Sequence, residues 1–183
     1  KRTPKSHRLL PEMIFKLAEL SEDTGDYLFA HQIYREFFIN YPAHSSSIRA
    51  ESRMRQIRRL EGFNPKPLME IDYLKRVRNL LIKARFEKVV KEIEGLEKRR
   101  SLVRGQFYVY KARALQALGK RTAADKAWNR FLKRYPHHPQ EKSVQFQMAR
   151  NLWNLGQDEN AAAIFRAIIE GKSESEWSVR ASY

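Results

Sequence analysis

Tyrosine set beside histidine is a pairing suited to acid–base or metal chemistry, and this chain writes it twice. "YREFFINYPAHS", residues 34–45, returns 94 positions later as "WNRFLKRYPHHP", residues 128–139. A zinc site favours two histidines at i and i+4 on one helix with a carboxylate close by. His31, His44, His137 and His138 offer no such pair. His44 and His137 instead follow prolines in turns, where a solvated imidazole is the plain expectation. Glu174 and Ser175, in "SESEWS", place a carboxylate next to a hydroxyl, which reads as the capped, acidic start of a helix. The seven glycines are scattered and form no phosphate loop, and the absence of cysteine excludes disulfides and thiolate metal sites. The residues thus predict no catalytic group, no metal and no cofactor within this chain.

A different constellation carries more. "VRNL", "ARAL" and "ARNL" put Arg78, Arg113 and Arg150 directly after a small or β-branched packing residue in three successive segments, with Phe146 and Trp153 flanking the last. Three guanidiniums on one line, with aromatics, would suit an acidic peptide, a C-terminal carboxylate or an anionic polymer. The competing reading, which ordinary helical repeats favour, has each arginine reach an acid of the neighbouring repeat and hold the pitch.

Charge supports interest in that segment. The 183 residues carry a net charge of +15. Residues 49–104 hold 17 basic against eight acidic side chains and residues 105–153 ten against two, while the two flanks are balanced or slightly acidic. A block of this kind attracts polyanions at long range. Nucleic acid is the disfavoured member of that class, because Arg53, Arg55, Arg58, Arg59, Lys98, Arg99 and Arg100 come without a recognition motif or a stacking platform. With 42% hydrophobic and 31% charged residues and no apolar run near the roughly 20 residues of a spanning helix, a folded, non-membrane chain is expected.

The elements that position these residues follow from spacing. Ala112, Leu115, Leu118, Gly119, Ala124, Trp128 and Phe131 fall on Ala149, Leu152, Leu155, Gly156, Ala161, Phe165 and Ile168, each 37 residues on. The same template fits Ala18, Gly25, Ala30, Tyr34 and Phe37, and a degenerate copy runs through Val77, Leu80, Ala84, Val89, Ile93 and Leu96. The pattern describes a helical hairpin. Gly ends the first helix in a left-handed turn, and Ala, aromatic and apolar residues at i, i+4 and i+7 line the second. Pro42 and Pro136 then stop it. One hairpin cannot bury its own stripe, so several must stack.

The signature Gly25, Ala30, Tyr34, Pro42 and its copy Gly119, Ala124, Trp128, Pro136 resemble the tetratricopeptide repeat, with Gly156, Ala161 and Phe165 a third copy that has Ser173 at the proline position. The resemblance implies an all-α fold, a right-handed superhelix of antiparallel helix pairs with about nine to ten helices. The whole of residues 1–183 reads as a single such domain, with units at about 9–42, 46–60 plus a linker at 62–67, 68–100, 103–136 and 139–171, and a further helix starting at 174–183. Individual helices are expected near 9–22, 26–40, 46–60, 68–83, 86–100, 103–118, 121–135, 139–155 and 158–170. In that architecture the arginines belong to first helices lining a concave groove, and the partner is a protein or peptide.

A narrower likeness is to bacterial envelope proteins. "ARALQALGKRTAADKAWNRFLKRYPHHP" is similar to the helical superdomain of soluble lytic transglycosylases and to envelope lipoproteins of the repeat class. It implies a non-catalytic part of a longer, periplasmic protein, with an anionic cell-wall polymer as a further candidate ligand. A free-standing adaptor binding an acidic peptide is the alternative, and a cytoplasmic setting stays open. The Glu-Ser pair of that enzyme class is matched by Glu174 and Ser175 without its Gly-Leu-Met-Gln partner element, so the resemblance carries no catalytic site into these residues.

Overall fold

A computed structural model of the chain describes residues 5–60, 62–99 and 104–171. It is all helical there: α1 Lys5–Asp23, α2 Tyr27–Asn40, α3 Ser47–Ile57, α4 Glu70–Ile82, α5 Phe86–Arg99, α6 Gln106–Ala117, α7 Arg121–Arg134, α8 Glu141–Trp153 and α9 Asp158–Glu170. Each expected helix between 9 and 170 is present. α1 begins earlier than its apolar stripe suggested, and α3 stops at Ile57, before Arg58–Leu60 turn into the proline-bearing linker. The expected helix from 174, with Glu174 and Ser175, lies outside the described residues.

The chain divides into two compact units, residues 1–85 and 86–183. In the first, α2 is the hub, packing against α1, α3 and α4. Tyr34 and Phe37 are fully buried and meet the ring of Phe15 edge-on at 5.5 and 5.2 Å. Interlocking aromatics of this kind add to the burial of their area. In the second unit α6 packs on α7, α8 on α9, and α5 and α8 fill the intervening places. Its core gathers Val109, Ala112, Ala124, Trp128 and Phe131, the last four of which belong to the sequence template.

The turns obey the same template. Gly25, Gly119 and Gly156 lie at φ +81°, +73° and +74°, the left-handed conformation that ends a first helix at least cost in glycine. The degenerate repeat keeps the conformation without the glycine: Ala84 sits there at φ +53°.

The twice-used phrase is structural. Tyr41 and Tyr135 lean on Phe37 and Phe131 at 5.4 and 5.6 Å, and His44 and His138 meet the same two rings edge-on at 5.3 and 5.1 Å. Nδ1 of His44 accepts from the N–H of Ser46 (3.2 Å), and Nδ1 of His138 from the N–H of Gln140 (3.1 Å). His137 is exposed in its turn, as expected, while His44 is partly buried and orders its turn. The histidine of each copy holds the chain between two helices, and the equivalent pair is His44 with His138, while His137 takes φ +63°.

Candidate interaction surface

α6 and α8 carry the two arginines of the second unit, and a reciprocal clip sets α8 against α7. Nδ2 of Asn151 donates to the carbonyl of Arg121 (2.9 Å), and Nη1 of Arg121 donates to the carbonyl of Asn154 at the end of α8 (2.8 Å). Carbonyls at a helix C-terminus have no partner within the helix, so the second bond satisfies one of them.

On this frame Arg113 and Arg150 are exposed, one position after the fully buried Ala112 and Ala149. Arg78 is exposed after the fully buried Val77 and stands in the first unit. Among the described residues none of the three side chains makes an ion pair or a hydrogen bond. The expectation that each reaches an acid of the next repeat is therefore not met. Trp153, three residues after Arg150 on α8, is 64% exposed. Phe146 departs from expectation: it is buried and packs its ring 5.8 Å from that of Phe165. Its place at i−4 from Arg150 matched the face by spacing, but the apolar gap between α8 and α9 takes it inward, because burying a phenyl ring outweighs displaying it.

The other basic cluster is partly spent on internal pairs. Arg53 gives Nε and Nη2 to the two oxygens of Glu22 at 2.9 and 2.6 Å, and Arg55 pairs with Glu51 one turn earlier. Glu22 also accepts from the Tyr34 hydroxyl at 3.1 Å, so one carboxylate joins α1, α2 and α3. Burial and this carboxylate push the Tyr34 phenol up to about 12. Together with Lys16, Glu19, Asp23 and Arg49, these residues line a cavity of about 190 Å³. Two of its carboxylates are paired, Glu19 with Lys16 and Arg49 and Glu22 with Arg53, and its phenol is held protonated by burial and by Glu22. No group of His, Asp and Glu suited to a metal ion occurs among the described residues.

Sequence reasoning missed two residues that organise the first unit. Arg76 is buried at 6% exposure, and Arg35 reaches Asp72 and the carbonyls of Lys66 and Pro67, pinning the linker to α2. Both were counted only as charge. A basic residue within an apolar stripe, as Arg76 is beside Tyr73, Val77 and Leu80, is the signal that could have found the first.

No helix of the described residues is long and apolar enough to cross a membrane. Residues 107–138 and 143–170 match the tetratricopeptide repeat family model. These ranges cover α6 with α7 and then α8 with α9. No curated protein matches the chain, and no solved structure does. The described residues are all-α, and their helical repeats are tetratricopeptide-like: the matched segments span α6–α9, and α1–α2 has the same spacing and the same left-handed turn.

Proposed function

We propose that this chain is a non-catalytic scaffold that binds a protein partner, and that the exposed side of α6 and α8 takes an acidic peptide segment. The observation that carries the reading is the pair Arg113 and Arg150. They occupy one repeat position 37 residues apart, both are exposed, and neither is neutralised by an acid among the described residues. They lie in a stretch, 105–153, with ten basic and two acidic side chains. A free guanidinium offers a planar fork to a carboxylate, and the exposed indole of Trp153 offers an apolar contact beside it. Arg78 would extend the same chemistry in the first unit.

Binding of fluorescent acidic peptides by the full chain, followed by anisotropy and by Trp153 emission over a salt series, tests this. Arg113→Glu and Arg150→Glu should each weaken binding about tenfold or more and leave the melting temperature unchanged. Lost melting temperature with intact binding would make the arginines structural. The envelope setting, and within it the helical part of a lytic transglycosylase, rests on the phrase around Tyr135 and Pro136, and the reading frame beyond residue 183 tests it.

A further inference from the structure

The twice-written phrase keeps its aromatics and its turn but changes in charge. Glu36, Ile39 and Asn40 of α2 become Arg130, Lys133 and Arg134 of α7, and Ile14 of α1 becomes Tyr108 of α6, each 94 residues on. α2 makes the same exit turn with no base in its last turn, so that turn does not call for the cations. Bases in a last turn complement the helix dipole, which suits Lys133 and Arg134. Arg130, a full turn earlier, has no such reason.

The four changed positions lie together in space. Tyr108, Arg130, Lys133 and Arg134 border a cavity of about 430 Å³, within the roughly 300–1,000 Å³ of small-molecule sites. Nη1 of Arg134 donates to the Tyr108 hydroxyl (3.3 Å), which anchors one guanidinium on the wall. Arg130 and Lys133 are exposed, and neither makes an ion pair among the described residues. Cations at i, i+3 and i+4 on one helix repel, so an anion among them is favoured.

The surroundings supply no acid to this cavity. The preceding helix, α5, is described, and its Glu94 and Glu97 line the adjoining cavity, where Lys111 holds both at 3.4 and 2.8 Å. Residues 100–103, between α5 and α6, contain Arg100 and no acid.

Three cations around one cavity suit a ligand with more than one negative charge. A phosphomonoester has about two charges and three terminal oxygens, enough for a guanidinium fork and an ammonium together, where a carboxylate has two oxygens. Nucleic acid fits less well, because the one ring at the cavity, Tyr108, is 7% exposed and offers no face to a base. A membrane surface fits no better, since neither α6 nor α7 exposes a large apolar side chain to insert.

We infer that this cavity binds a phosphomonoester, free or carried on a phosphorylated side chain, with Arg130 and Lys133 on the phosphate and Arg134 held beside them by Tyr108. The site is separate from the acidic-peptide surface. Tyr108 and Arg113 are five residues apart on α6, which sets them about 140° apart around the helix.

Calorimetric titration of the full chain at low salt tests it, with a short, otherwise neutral phosphoserine peptide, the same peptide with glutamate in that place, and inorganic phosphate. The phosphoserine peptide should bind at least about tenfold tighter than the glutamate peptide. Arg130→Gln and Lys133→Gln, at exposed positions, should each weaken it about tenfold and keep the native circular dichroism and melting temperature. Inorganic phosphate bound as tightly as the peptide would assign the site to a free phosphate compound, and a tighter peptide would assign it to a phosphorylated partner. No binding of either phosphate probe, equal affinity for the phosphoserine and glutamate peptides, or affinity unchanged in both variants would each overturn the inference. Phosphatidylglycerol vesicles bound in place of the phosphate probes, and released by the same variants, would make the patch a membrane contact instead.

Discussion

The guanidinium of Arg76 lies over the ring of Phe38, its central carbon 3.7 Å from the ring centroid, while Nη1 donates to the carbonyl of that same residue and to Oγ of Ser47 (2.8 Å). One side chain of α4 thereby satisfies the C-terminal end of α2 and the start of α3. Asn79 adds a second such bond, from Nδ2 to the carbonyl of Ile39 (3.0 Å). Replacing Arg76 by Ala should strip a buried carbonyl and hydroxyl of their donor and remove the stacking, at a cost of about 2–4 kcal/mol. Arg76→Lys should recover little of it, because an ammonium cannot stack and fork at once. Urea unfolding reads both variants. A loss below about 0.5 kcal/mol for Ala would show that the site relaxes without the arginine.

The left-handed alanine makes a prediction of opposite sign. Ala84 holds φ +53° where the other repeats have glycine, so Ala84→Gly should stabilise by about 0.5–1 kcal/mol. Gly119→Ala should destabilise by a similar amount, since a Cβ there meets nothing within 4 Å and the cost is conformational alone. Thermal melts of the two variants should move in opposite directions, and equal movement would remove the strain argument.

His31 links the first unit to pH. It is 5% exposed, its ring lies 6.3 Å from Phe63 of the linker, and burial, then Arg35 and Arg58, lower its pKa from 6.5. The unfolded chain therefore takes up a proton that the folded chain resists. Stability is fully present above about pH 6.5 and is lost as pH falls from there toward the depressed folded value. Urea midpoints between pH 7.5 and about pH 5 should decline, and His31→Phe should flatten the decline. An unchanged slope in that variant would assign the effect to other groups.

Tyr34 does the reverse at the alkaline end. Its phenol ionises near 10 in the unfolded chain and is pushed up to about 12 by burial and by the Glu22 carboxylate it donates to. The contribution is present below about pH 10 and is lost as pH rises through 12. Difference absorbance of tyrosinate should show one late-titrating phenol that disappears in Tyr34→Phe, with a cost near 1 kcal/mol at neutral pH.

Helix positions, their pairing and the repeat phase were legible from the residues because the template restates itself: Gly, Ala at +5, aromatic at +9. Trp128 and Tyr34, both fully buried, are where that spacing put them. The surface was legible in part. Arg113 and Arg150 stand on one repeat position, but the inward turn of Phe146 depends on the width of the gap to Phe165, which no periodicity records. Arg35 was invisible as an organiser, since a basic residue in a basic chain looks the same whether it is solvated or pins a linker, and Arg76 is marked only by its place in an apolar stripe.

The amino-acid order by itself determined the all-α class, the left-handed turns and the core stripes. These depend on neighbours a few residues apart, through backbone sterics and helical period. Only the tertiary structure decided which charges are spent and which are free. Glu22 holds Arg53, Glu97 holds Lys111, and Arg113 and Arg150 are left without an acid. The outcome depends on distances between side chains 31 and 14 residues apart in these two pairs, and Coulomb energy follows distance and burial rather than sequence.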